Sequence, residues 1–192
     1  MRKVLLPLLA ALSLSACGVN SIPTAEEEAI AAWADVENQY QRRADLVPNL
    51  VNTVRGFADQ EREVLTEVTE ARASASQVNL DAGDLSDPQA MQRFQAAQGE
   101  LSGALSRLLV TVERYPELRS QQNFLELQSQ LEGTENRIAV ARRDYNDAVR
   151  AYNTEIRTFP SLIAARIIYG SERMEPYEAT TEGAEEAPTV EF

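Results

Sequence analysis

The residue best placed for chemistry is Cys17, the one cysteine of the chain. It ends the run Leu14-Ser15-Ala16-Cys17, directly behind the positive start Met1-Arg2-Lys3 and the apolar stretch Val4 to Leu14. A small residue before a cysteine at the end of such a core matches the bacterial lipobox. There the chain is cut before the cysteine, the thiol receives a diacylglycerol, and the freed amine is acylated. At ~1.5 Å per residue the apolar run is too short to cross a ~30 Å hydrocarbon layer as a permanent helix. The plainer alternative is an ordinary secretory signal cut near Ala16, which would leave Cys17 as a stray thiol. Residues 1–16 are therefore read as a lipoprotein signal peptide and 17–23 as a lipidated tether.

Elsewhere the inventory is poor in reactive groups. There is no histidine, which removes the usual general base and the commonest transition-metal ligand. With Cys17 acylated, no thiol is left for a disulfide, a zinc cluster or a nucleophile. No G-x-S-x-G elbow and no phosphate-cradling glycine loop is present. Neither enzymatic activity nor a cofactor is expected. Asp59, Glu63, Glu67 and Glu70 form an acidic strip at helical spacing. Carboxylate dimetal centres in helical bundles normally add Glu-x-x-His pairs, so the choice lies between a weak all-oxygen calcium or magnesium site and a solvated face. The solvated face, moderated by Arg62 and Arg72, is preferred, and no metal ligand is assigned.

The net charge is −12 over 192 residues. Cleavage after Ala16 would remove Arg2 and Lys3, the sole lysine, and leave 16 arginines against 30 carboxylates, a charge of −14. Nucleic acid is excluded as a partner, because phosphate neutralisation needs a clustered basic face. Charge alone would not hold the domain to anionic lipid either. The membrane is a partner through the lipid on Cys17.

Two polar constellations stand out. Arg42, Arg43, Asp45, Asn49 and Asn52 surround Pro48, whose missing N–H frees the carbonyl of Ala44 for a guanidinium donor. Arg43 and Glu61 fall on an otherwise apolar stripe and need partners, for which Glu135 and Arg137 are candidates. The second constellation is Tyr145-Asn146, repeated seven residues later as Tyr152-Asn153, downstream of Asn136-Arg137. Seven-residue spacing places both pairs on one helix stripe. Their amides either fix the bundle's register or grip a partner. The candidate partner or ligand patch is thus Arg42, Arg43, Asp45, Asn49, Asn136, Arg137, Asn146 and Asn153, with a structural network as the alternative.

The elements that must carry these residues are helices. Thr24 to Glu27 reads as a capping box. From Trp33 the stripe Val36, Tyr40, Arg43, Val47, Leu50, Val54, Phe57, Glu61, Val64, Val68, Ala71, Ala75 and Val78 keeps a strict 3-4 alternation. Asn79 to Asp87 is a loop, and Asp87-Pro88 caps a second helix with Met91, Phe94, Leu101, Leu105, Leu108 and Val112 on one face. The phase breaks at Pro116, and a third long helix is expected over about 117–158, with Phe159 the last residue of its stripe before Pro160. A short apolar helix over Leu162 to Tyr169 follows, and residues 180–192 make an acidic tail expected to be disordered. The fold class is all-α, an elongated antiparallel up-and-down helical bundle over residues 24–179. Four helices are preferred, with a corner at Pro48; three, with Pro48 as a kink, is the alternative.

Ala32-Trp33-Ala34-Asp35-Val36, Gln41 to Val51 and Val54 to Ala58 resemble the first half of the LemA family. Tyr115 to Leu118, Asn123 to Gln128, Thr134 to Ala139, the two Tyr-Asn pairs and Phe159-Pro160 resemble its second half. The resemblance implies an all-helical, envelope-associated bundle without enzymatic activity or cofactor. Members are typically held by an uncleaved N-terminal transmembrane helix, and here the lipobox stands in that place. The expected function is a non-enzymatic, lipid-anchored binding or scaffold module with an envelope-protein partner. A periplasmic small-ligand or divalent-cation binder is the alternative. Gly18 after the cysteine is not the aspartate that resembles an inner-membrane retention signal, so the expected location is the outer membrane, facing the periplasm.

Overall fold

The computed structural model describes residues 20–58 and 60–178, so the signal peptide, Cys17, Asp59 and the acidic tail lie outside the described residues. The elements are α1 (Ser21–Arg55), α2 (Arg62–Gln77), a 3-10 turn (Asp84–Ser86), α3 (Pro88–Val112), α4 (Pro116–Arg119), α5 (Gln122–Glu155) and α6 (Ser161–Ala164), which runs into a π turn (Ala165–Tyr169). No strand occurs among the described residues.

Four long helices run up, down, up and down. The directions follow from matched pairs: Arg72 of α2 reaches Ala44 of α1, Arg107 of α3 pairs with Glu67 of α2, and Arg43 of α1 meets Glu135 of α5. α1 and α5, at 35 and 34 residues, are each ~50 Å long at the standard rise. They outreach α2, and where α2 ends its place is taken by the loop 78–87 and an extended C-terminal strap, residues 171–178.

The helix count of four stands, but the corner is elsewhere. Pro48 lies inside an unbroken α1, and the chain reverses at residues 56–61 instead. The heptad phase hides that reversal: Val54 and Val68, on either side of it, are both fully buried. Phe57, between them, is exposed, as is Phe159. α1 also begins earlier than a capping box at Thr24 would have it. The Thr24 hydroxyl bonds back to the carbonyl of Asn20 at 2.9 Å, so residues 21–23 are helix rather than tether. Pro23 is tolerated there because first-turn N–H groups have no intrahelical acceptor. The Asp87 cap forms as expected, its carboxylate accepting from the Gln89 N–H at 2.9 Å. The chain over 116–121 is a separate turn, α4, before α5 begins at Gln122.

The apolar interior is split in two. One cluster gathers Ile22, Trp33, Tyr40, Phe94, Tyr145, Tyr152, Met174 and Tyr177; the other gathers Val47, Val54, Leu65, Val68, Leu101, Leu108 and Phe124. Trp33 meets Phe94 and Tyr145 edge-on at centroid distances of 5.1 and 5.0 Å, a geometry worth about 0.5–1.5 kcal/mol per pair beyond burial. Between the clusters lies a polar layer built around Arg43.

Candidate functional site

Arg43 is 1% exposed at the middle of α1. Its guanidinium donates to Glu135 Oε1 at 2.9 Å, Ser102 Oγ at 2.7 Å, and the carbonyl and Oε1 of Gln98 at 3.1 and 2.8 Å. The Tyr40 ring lies 4.9 Å from the guanidinium carbon. Among the described residues its Nε has no acceptor. The expectation that Glu135 answers Arg43 holds. Glu61 is answered differently, by Arg114 at 3.1 Å and the Tyr115 hydroxyl at 2.8 Å, whereas Arg137 donates to Thr134 Oγ1 at 3.0 Å. A buried cation with this many acceptors is a stable tie between α1, α3 and α5, with little left to offer a ligand.

Pro48 shows the same economy. Without an N–H at residue 48 the Ala44 carbonyl lacks its helical donor, and Arg72 Nε from α2 supplies one at 2.8 Å. The guanidinium foreseen for this role comes from α2, not from Arg42 or Arg43.

The two asparagines of α5 do a third job. Asn153 donates through Nδ2 to the Met174 carbonyl at 2.8 Å and accepts the Met174 N–H on Oδ1 at 3.0 Å. Asn146 does the same with Tyr177, at 2.9 and 2.7 Å. Seven helical residues advance ~10.5 Å and three extended residues ~10 Å, so the two amides match the strap's repeat. Between them the Tyr145 hydroxyl donates to the Glu175 carbonyl at 2.8 Å, and the Glu175 N–H reaches the Leu85 carbonyl at 2.8 Å. Tyr177 inserts under the strap, its hydroxyl 2.6 Å from that of Tyr40 and its ring 4.0 Å from the Arg142 guanidinium carbon. Burial holds the Tyr40 and Tyr145 hydroxyls far above the usual tyrosine range, so both stay protonated. The asparagines thus hold this chain's own backbone rather than setting helix register.

The eight candidate positions are not one patch. Arg42, Arg43, Asp45 and Asn49 sit mid-bundle with Asn136 and Arg137; Asn153 is 18 residues past Glu135, ~27 Å along α5. Arg42, Asn49, Asn136 and Arg137 are exposed, and Asp45 accepts from Gln41 at 2.8 Å. Beside the strap a groove of about 570 Å³ is lined by Arg150, Arg157 and Arg173 with Thr154 and Thr158. Arg150 pairs with Asp147 at 3.0 Å. The candidates Asn146 and Asn153 also line this groove, but its basic character in an acidic chain was not foreseen. Arg150 and Arg157 share a face by their seven-residue spacing, and Arg173 joins them because the strap doubles back. In the acidic strip Glu67 is paired with Arg107, and no carboxylate cluster suited to a metal occurs among the described residues. Where α5 ends, the Ser21 and Ser161 hydroxyls both bond Glu155 Oε1, the latter at 2.5 Å. Led by the Ser161 bond, they draw the carboxyl below its ordinary range against a smaller opposing effect of burial.

No described helix is long and apolar enough to cross a membrane. The profile of the LemA family matches residues 32–192. Magnetosome proteins MamQ 1 and MamQ 2 of Paramagnetospirillum magneticum are each 29% identical over 180 residues, covering 85% of this chain and 66% of theirs. This chain therefore spans just under two thirds of those relatives. Protein LemA of Metamycoplasma hominis is 25% identical over 119 residues, covering 62% of this chain and 50% of its own.

Proposed function

The chain belongs to the LemA family, and from that premise we propose that it is a non-enzymatic, lipid-anchored scaffold of the cell envelope. Cys17 carries the lipid, and the bundle faces the periplasm, from the outer membrane in a two-membrane cell. Its role is to present helical faces to another envelope protein. One observation supports this reading over a small-ligand or cation site. The inward polar groups best suited to gripping a ligand are already engaged within the chain, Arg43 by Gln98, Ser102 and Glu135, and Asn146 and Asn153 by the strap. What remains for a partner is surface, and the exposed Arg42, Asn136 and Arg137, level with the Arg43 layer, are its centre.

Crosslinking in native membranes followed by purification tests the proposal. Amine-reactive reagents are unsuitable because Lys3 is the sole lysine, so carboxylate or photo-activated reagents are needed. An envelope protein captured by the wild type and lost with Arg42→Glu/Arg137→Glu is the expected result. Capture that survives those changes refutes the assigned surface, and recovery of only the monomer across growth conditions refutes the scaffold. Mass spectrometry of Cys17→Ser should find no acylated product; a normal lipidated one would refute the anchor.

A further inference from the structure

Past the end of α5 the chain turns its large apolar side chains outward. Phe159 is 80% exposed, Ile163 53%, Ile167 78% and Ile168 62%. Between them Ala164 and Ala165 point inward, into the same core cluster as Ile22. Small residues seat the segment, and large ones are left facing solvent. An exposed apolar cluster of this kind on a strongly charged protein marks an interaction surface. Arg157, Arg166 and Arg173 belong to the same end of the molecule, and none of them has a carboxylate partner among the described residues.

Position identifies the occupant. Ser21 and Ser161 share Glu155, so the start of α1 lies against this end. Cys17 is four residues upstream of Ser21, and four residues span at most ~14 Å. We propose that this end of the bundle docks on a bilayer bearing anionic headgroups. Phe159, Ile163, Ile167 and Ile168 enter the acyl boundary while Arg157, Arg166 and Arg173 meet the phosphates. The proximity of the bilayer rests on the Cys17 anchor proposed above; the apolar and basic face does not. The chain as a whole is strongly acidic, and Glu26 and Glu172 both act on Tyr152 at this end, so the apolar side chains lead the docking and the arginines grip headgroups locally. The apolar residues sit at the tip of the bundle, which stands it upright rather than flat.

The test uses the full chain, purified from bacterial membranes and reconstituted into vesicles of phosphatidylethanolamine with phosphatidylglycerol. An environment-sensitive dye is placed on Ile168→Cys and, at the far end of α3, on Val110→Cys, both exposed sites where the fold tolerates change. The Ile168 label should shift to the blue and lose most of its emission to brominated lipid, while the Val110 label stays water-like. Omitting phosphatidylglycerol should shrink the blue shift. An Ile168 label as solvent-exposed as the Val110 label overturns the proposal, and so does quenching of both, which means a bundle lying flat. A blue shift that brominated lipid does not quench means a second copy covers the face, and also overturns it. The unmutated chain, treated with the same dye, reports the anchor separately. Labelling there shows a free Cys17 thiol and refutes the anchor; the docking measurement is then repeated in the Cys17→Ser background, where the same outcomes decide the face.

Discussion

Replacing Asn153 with alanine should release the C-terminal strap without unfolding the bundle. The variant loses two hydrogen bonds, to the carbonyl and the N–H of Met174. At about 1 kcal/mol net for each, the strap is destabilised by about 2 kcal/mol. One decade per 1.4 kcal/mol converts this to a roughly 30-fold rise in the population of the detached strap. Amide hydrogen exchange reads that population directly. The Met174 N–H, which loses its own acceptor in Asn153→Ala, should exchange at least roughly 30-fold faster. If the strap opens as one unit, the Tyr177 N–H, which Asn146 still receives, should accelerate by roughly 30-fold. Core amides of α3 such as Leu101 should not change, and Thr154→Ala, an exposed neighbour, should leave the strap at the wild-type rate. Met174 and Tyr177 amides that exchange at the wild-type rate in Asn153→Ala would refute the assignment of the asparagine amides as the clasp.

Three further outcomes are expected. Arg43→Ala removes a buried cation with four bonds and leaves a cavity, lowering stability by about 3–5 kcal/mol, whereas Glu135→Gln, at a half-exposed partner, lowers it by only about 1 kcal/mol; urea unfolding checks the order. Arg72→Ala strands the Ala44 carbonyl and lowers stability by about 1–2 kcal/mol, and Pro48→Ala in that background should restore most of it by returning the helical N–H. No rescue in the same urea titration would show that Arg72 acts otherwise. The depressed Glu155 carboxyl stabilises the fold above its ordinary carboxylate range, and that contribution fades as pH falls through the lower folded-state value. Thermal melts of the wild type should therefore lose their advantage over Glu155→Gln on acidification, and an advantage unchanged down to strongly acidic pH refutes the Ser21–Glu155–Ser161 clasp.

Much of the architecture was legible because burial writes itself into helix period. Trp33, Val36, Tyr40, Arg43, Val47, Leu50 and Val54 are all buried, and Arg43 on that stripe demanded the carboxylate it has. The reversal at residues 56–61 was not legible, since the non-helical link returns the chain to α2 in the phase it left α1. Pro48 drew attention instead, although Arg72 from another helix repairs the bond it breaks. The Tyr-Asn repeat was visible as a device, but its partner was not. An extended strap read through its backbone has no side-chain period to betray it, and Met174 and Tyr177 look like ordinary apolar residues after Gly170. Nor does sequence announce that a doubled-back segment will bring Arg173 beside Arg150 and Arg157.

The strap's course decides where anything fused to its end will stand. It runs back along α5 until the Glu178 carbonyl meets Arg142 at 3.2 Å, thirteen residues and ~20 Å short of where α5 ends. Chain beyond that point is launched from the flank of the rod, not from its tip. A reporter enzyme or biotin ligase fused directly after Glu178, in place of the residues beyond it, would therefore sample neighbours standing alongside the molecule, and one inserted at the Pro116 corner would sample those above it.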